Sequence, residues 1–188
     1  MRKLLLTFAS LVLLGVAAPL AAAEPPTDEV AAMLAFMREE EKLAHDVYLL
    51  FSEMYAGQDA SSKIFARIAE SEQRHTDAVK GLLDEYGLPD PAAALAPGEF
   101  ADQSLQDLYT ALVGVGESGY TEALGVGVVI EQKDMTDIVA AIELSVAYAE
   151  IVRVYSNLLT GSEHHLAAFL KVLEGSEPEA AGMRMRGR

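Results

Sequence analysis

Glu41 stands 31 residues before Glu72 and 34 before His75, and Glu131 stands 34 before His165. Carboxylate oxygens and imidazole nitrogens together are ligands for iron, manganese or zinc. The doubled spacing points to two helical hairpins, each bringing a carboxylate and a histidine to a shared layer, which is how a four-helix bundle builds a two-metal site. Glu72 and His75 are separated by Gln73 and Arg74, and residues three apart share a helix face, so this E-x-x-H pair can reach one cation. The repeat has one gap: the position 31 after Glu131 is Ser162.

A glutamate on a helix is usually solvated, and a histidine alone is more often a hydrogen-bonded core residue than a ligand. Here all five fall on stripes that are otherwise mostly apolar, where an unpaired carboxylate is costly. Asp134, one turn after Glu131, either supplies the missing carboxylate or is an exposed acid flanking its stripe. Tyr48 and Tyr155 sit near the proposed layer, as hydrogen-bond donors, electron-transfer groups or plain core. His45 is off-stripe, one turn from Glu41, and His164 points about a hundred degrees away from His165. Glu39, Glu40, Glu70 and Glu163 are off-stripe and read as solvated faces.

Four periodic segments must position these residues. The first starts at the N-cap Thr27, carries Leu34, Met37, Glu41, Ala44, Tyr48, Phe51 and Tyr55, and ends at Gly57. The second starts near Ser61, carries Phe65, Ile68, Glu72, His75, Val79, Leu82 and Tyr86, and stops at Gly87. Residues 88–101, rich in proline and alanine, read as a long crossover, followed by a short helix from about Ser104 to Val113. The third long helix carries Leu124, Val128, Glu131, Met135, Ile138 and Ile142, with Gly125 and Gly127 as sites of close helix approach. The fourth, from about Val146 to Glu174, carries Ile151, Tyr155, Leu158, Ser162, His165, Phe169 and Val172. The expected fold is all-α: a four-helix bundle with a long central crossover and one short extra helix.

The 188 residues suit one domain, expected over residues 24–175, with an aperiodic tail over 176–188. The first 23 residues combine Arg2 and Lys3, an apolar run, and small residues at Ala21 and Ala23, the layout of a cleaved secretory signal peptide. A retained membrane anchor is the competing reading, since the run is about long enough to span a bilayer; the small residues favour cleavage and a periplasmic or secreted protein without stable membrane insertion. Cleavage removes two of 14 basic residues and none of 29 acidic ones, which takes the formal charge from −15 to −17. Such a surface disfavours nucleic acid and mildly favours metal cations as partners, although it also serves simple solubility. With no cysteine, disulfides, thiolate chemistry and cysteine-held clusters are excluded.

The run from Arg38 to Tyr48 resembles the first helix of the ferritin-like superfamily, which includes ferritins, bacterioferritins and rubrerythrins, where a ligand glutamate precedes a tyrosine by seven residues. Here those are Glu41 and Tyr48. The run from Ile68 to His75 resembles its second helix. Together with Glu131 to Asp134 and Asn157 to Leu166, the pattern looks closest to an uncharacterised bacterial ferritin-like domain family. The resemblance covers roughly Ala32 to Val172 and implies a ferritin-like fold, with Glu72 bridging two metals, Glu41 and His75 on one, and Glu131 and His165 on the other. Rubrerythrin-like sites carry a second E-x-x-H, and this chain departs from them with Ser162 before His165. The implied function is a secreted di-iron protein of ferroxidase or peroxidase type, oxidising Fe(II) with dioxygen or peroxide. Two iron ions are expected, with manganese or zinc as alternatives, and peroxidase turnover would need an external reductant. The rival readings are a non-catalytic metal-binding or sensing module, and a structural domain with a degenerate site. The sequence sets no oligomeric state; a homo-oligomer is compatible with it.

Overall fold

The computed structural model describes residues 25–58 and 63–176, and over these it is all-helical, with five helices and no strand. In chain order they are α1 (Asp28–Met54), α2 (Lys63–Tyr86), α3 (Gln103–Gly116), α4 (Tyr120–Leu144) and α5 (Ala149–Ser176). The expected signal peptide and residues 177–188 of the expected tail lie outside the described residues, while α5 runs through Ser176. No described helix is long and apolar enough to cross a membrane.

Local chemistry sets the helix ends. The Thr27 side chain accepts from the Val30 N–H, with Asp28 and Glu29 in the first turn beside the partial positive charge of the helix start. At the end of α2, Gly87 takes φ 64°, and the N–H groups of Gly87 and Leu88 return to the carbonyls of Asp84 and Leu83. That pair of bonds is a Schellman motif, which needs the left-handed conformation glycine supplies. Helix α3 is capped by Asp102 and runs past the expected end at Val113, through Gly114, to Gly116. Tyr55, the C-cap of α1, donates to the Gly116 carbonyl, so packing against the end of α1 holds the last turn despite glycine's poor helix preference.

Helix directions follow from the contacts. Tyr55, at the cap of α1, and Glu41 within it meet Phe65 and His75 of α2, so rising numbers face falling ones. Gly127, Glu131 and Asp134 of α4 likewise meet Phe169, His165 and Ser162 of α5. Tyr48 and Glu40 of α1 meet Glu131 and Lys133 of α4, and Phe65 and Glu72 of α2 meet Phe169 and His165 of α5. Each of the four long helices thus has two antiparallel neighbours.

Two apolar clusters fill the interior. One holds Tyr48, Phe51, Phe65, Leu124 and Phe169, and the other Leu34, Met37, Val79, Ile138 and Tyr155. On every long helix the chain passes from one cluster to the other through the residues of the Glu/His pattern. The buried face of α4 is rotated from the expected stripe: Gly127, Ile130, Asp134 and Ala141 are buried, whereas Val128, Met135 and Ile142 are half-buried. Packing of α3 on α4 widens that face. At Gly127 an added Cβ would stand 2.6 Å from the Phe169 ring, so its bare backbone lets α5 close in; Gly125 has open space instead.

The crossover corrects one expectation. Glu39 and Glu40 are buried, not solvated, while Glu70 and Glu163 are exposed as expected. Glu39 accepts from the Ala101 and Asp102 N–H groups at 2.5 and 3.1 Å, and Glu40 pairs with Lys133. Beside them Lys42 donates to the carbonyls of Ala96 and Glu99, Arg38 pairs with Asp90, and Asp46 accepts from Gly98 N–H at 2.8 Å. The charges on this side of α1 hold the crossover and α3 rather than water.

Candidate metal centre

Two sets of donor atoms converge between the apolar clusters, each within 4.8 Å: Glu41, Glu72 and His75, and Glu72, Glu131 and His165. Glu72 belongs to both. His75 Nδ1 lies 2.8 Å from Glu72 Oε2 and 3.3 Å from Glu41 Oε2, and His165 Nδ1 lies 2.6 Å from Glu72 Oε1 and 3.6 Å from Glu131 Oε2. The two imidazoles stack, with ring centroids 5.5 Å apart. All five side chains are buried, the three glutamates to 2% exposure or less.

The neighbouring groups orient this set. The Tyr48 hydroxyl donates to Glu131 Oε1 at 2.6 Å and lies 3.3 Å from the Gly127 carbonyl. Asp134, the candidate for the missing carboxylate, is buried but stands outside both three-residue sets; its Oδ2 accepts from Ser162 Oγ at 2.5 Å. Ser162 therefore binds the acid across from it on α4 instead of facing an empty position. Gly161 brings α5 against His75, since an added Cβ would stand 2.5 Å from Nε2. His45 pairs with Asp46, away from the centre, and His164 is exposed. The buried Tyr155 hydroxyl has no hydrogen-bond partner.

Several buried polar atoms are left over. Glu41 Oε1, Glu72 Oε1, His165 Nδ1, Asp134 Oδ1 and Glu40 Oε2 make no hydrogen bond. The 2.6 Å approach of His165 to Glu72 is an ion-pair contact without hydrogen-bond alignment. Buried polar atoms are ordinarily satisfied; three of these orphans lie in the layer itself, and those of Asp134 and Glu40 lie beside it. Glu40 and Asp134 also line a cavity of about 20 Å³ between α1, α3 and α4, room enough for one water.

Burial pushes the Glu41, Glu131 and Asp134 carboxyls up, and the neighbouring acids add to it. Burial alone would lower both histidines, but the facing carboxylates outweigh it and raise His75 to about 11 and His165 to about 9. Glu72 is the exception among the acids: burial raises it, yet contact with both histidines brings it down to about 2. Burial and the nearby Glu131 charge hold the Tyr48 hydroxyl well above its ordinary range, so it stays a neutral donor. The raised carboxyls and the raised histidines keep the cluster close to charge balance by holding protons, and a bound cation would take the place of those protons.

The family model described as "Uncharacterized protein domain (DUF2202)" matches residues 30–184, a span that contains the whole cluster. The chain belongs to this family. It is 41% identical over 150 residues to the uncharacterized protein MJ0754 of Methanocaldococcus jannaschii, covering 80% of this chain and 78% of that one. The crystal structure of hypothetical protein MJ0754 from Methanococcus jannaschii superposes with a TM-score of 0.75, covering 81% of this chain and 83% of that chain.

The doubled spacing picks out the five convergent residues, and the first-helix stripe and its resemblance pick out Tyr48. Neither gives Ser162 as the donor to Asp134 or Glu40 beside the layer. Helix periodicity names an inward face but not which two polar residues on different helices will meet. The one available signal was that Ser162 sits on an apolar stripe, where a hydroxyl needs a partner.

Proposed function

We propose that this chain is an exported ferritin-like four-helix bundle whose Glu/His layer holds two metal ions, iron foremost, and oxidises Fe(II) with dioxygen or peroxide. The observation that carries this reading is Glu72, shared between two three-residue donor sets whose buried atoms include orphans. Oxygen and imidazole donors suit iron, and also manganese or zinc. Glu41 and His75 would hold one ion, Glu131 and His165 the other, with Glu72 between them.

Iron held there would supply the redox chemistry, one electron from each of two Fe(II), enough with two protons to convert one hydrogen peroxide to two waters. The chain's own residues do the rest. Tyr48 fixes the rotamer of Glu131, and Ser162 holds Asp134 beside the layer. The apolar clusters on either side exclude bulk water and strengthen every charge interaction between them.

The test is anaerobic Fe(II) titration of the mature protein, followed by dioxygen or peroxide, with ferric absorption in the near ultraviolet as the readout. Wild type should take up two Fe(II) and oxidise them at least tenfold faster than a Glu72→Ala/His75→Ala control. Uptake without faster oxidation leaves a metal-binding or sensing module. If wild type binds no more metal than the control, the layer is structural.

A further inference from the structure

Between α2 and α5 runs a second feature, a groove of about 450 Å³ that ends against His165. That size falls in the ~300–1,000 Å³ range of small-molecule sites. Ile68 and Val172 give it an apolar floor, and Arg67, Arg74 and Lys171 stand around it. Arg67 and Arg74 are seven residues apart, two turns along one face of α2.

Its basic residues set this groove apart. Among the described residues, Arg38, Lys42, Lys80, Lys133 and Arg153 are each engaged in an ion pair with an acid. Lys63, Arg67, Arg74 and Lys171 are not, on a chain with 29 acidic residues against 14 basic ones. Three of those four line this groove. In a strongly acidic protein, cations left unneutralised at one apolar-floored cleft are the complement of an anion. They also repel divalent metal, so the groove is not its way in, and three cations are too few to hold a nucleic acid against this net charge.

We propose that this groove binds a small organic anion, with a carboxylate, phosphate or sulfonate head among Arg67, Arg74 and Lys171 and an apolar body on Ile68 and Val172. Ser71 offers a hydroxyl to the same head. The site does not depend on metal in the Glu/His layer, although a ligand there borders His165.

The probe is 8-anilinonaphthalene-1-sulfonate, an aromatic body with one acidic head, titrated into the full chain by fluorescence. N-phenyl-1-naphthylamine, the same body without the head, serves as the neutral control. Wild type should bind one sulfonate probe per chain, and its amide resonances should shift within residues 67–74 and 165–172. Arg67→Ala/Arg74→Ala/Lys171→Ala should weaken the sulfonate at least tenfold and the neutral probe less than twofold. All three residues are exposed, and an unchanged circular dichroism melt checks the fold. If the triple variant is poorly folded, Arg67→Ala and Lys171→Ala singly should each weaken the probe about threefold. Equal sulfonate affinity in the variants, or resonance shifts elsewhere, overturns the proposal. Displacement by inorganic phosphate at the probe's own concentration also overturns it, because the apolar floor then contributes nothing.

Discussion

Gly161 leaves the space that the His75 ring fills: a methyl group there stands 2.5 Å from Nε2 and 2.6 Å from Cε1. Alanine is the better helix former by up to ~1 kcal/mol, so Gly161→Ala sets helix preference against the position of a candidate ligand. The expected outcome is a melting temperature equal to or slightly above wild type, with Fe(II) or Mn(II) affinity about tenfold weaker, as when a ligand's support is disturbed. Calorimetric titration beside a thermal melt reads both; unchanged affinity would show that this ring does not hold metal. Ser162 carries a related lesson. Read along the chain it is a missing glutamate, whereas across the interior it is the donor that satisfies Asp134 Oδ2. That pairing joins residues 28 apart on different helices, so no local pattern announces it.

On the scale of one element, α1 is buried on two sides. One side carries the expected stripe from Leu34 to Tyr55 into the core, and the other carries Arg38, Glu39, Lys42 and Asp46 under the crossover. The stripe was legible because apolar residues recurred at helical steps. The charged side was not, because a salt-bridged buried face and a solvated one have the same composition. Glu39 tests the difference. Its carboxylate satisfies two backbone N–H groups where the chain turns into α3, so Glu39→Ala leaves them unpaired at a cost of about 2 kcal/mol. Urea unfolding should report that loss, and amide exchange at Ala101 and Asp102 should quicken before exchange in α2 does. A loss below about 0.5 kcal/mol would mean that the crossover stays put without this anchor.

For the whole molecule, acid is the informative stress. Burial pushes the Asp46 carboxyl up, but His45, Lys42 and the Gly98 N–H outweigh it and hold it below the ordinary 3.8. A lowered folded-state value means that the contribution is present in full above the unfolded value and disappears as pH falls through the lowered one. Asp46→Asn should therefore lose about 2 kcal/mol at pH 7, and the gap to wild type should close as the pH is taken below 3.8. Denaturant melts at a series of pH values measure this; a gap independent of pH would mean that the charge of Asp46 contributes nothing. The spacing of Glu41, Glu72, His75, Glu131 and His165, the stop of α2 at Gly87 and the long crossover were determined by the sequence itself, because period, capping and glycine chemistry are local. Which polar residues became partners was decided only by tertiary structure. Glu39 with the start of α3, Ser162 with Asp134, and three unpaired cations around one groove each depend on elements distant in sequence arriving side by side, where burial decides whether a charge is paired, shared or left for a ligand.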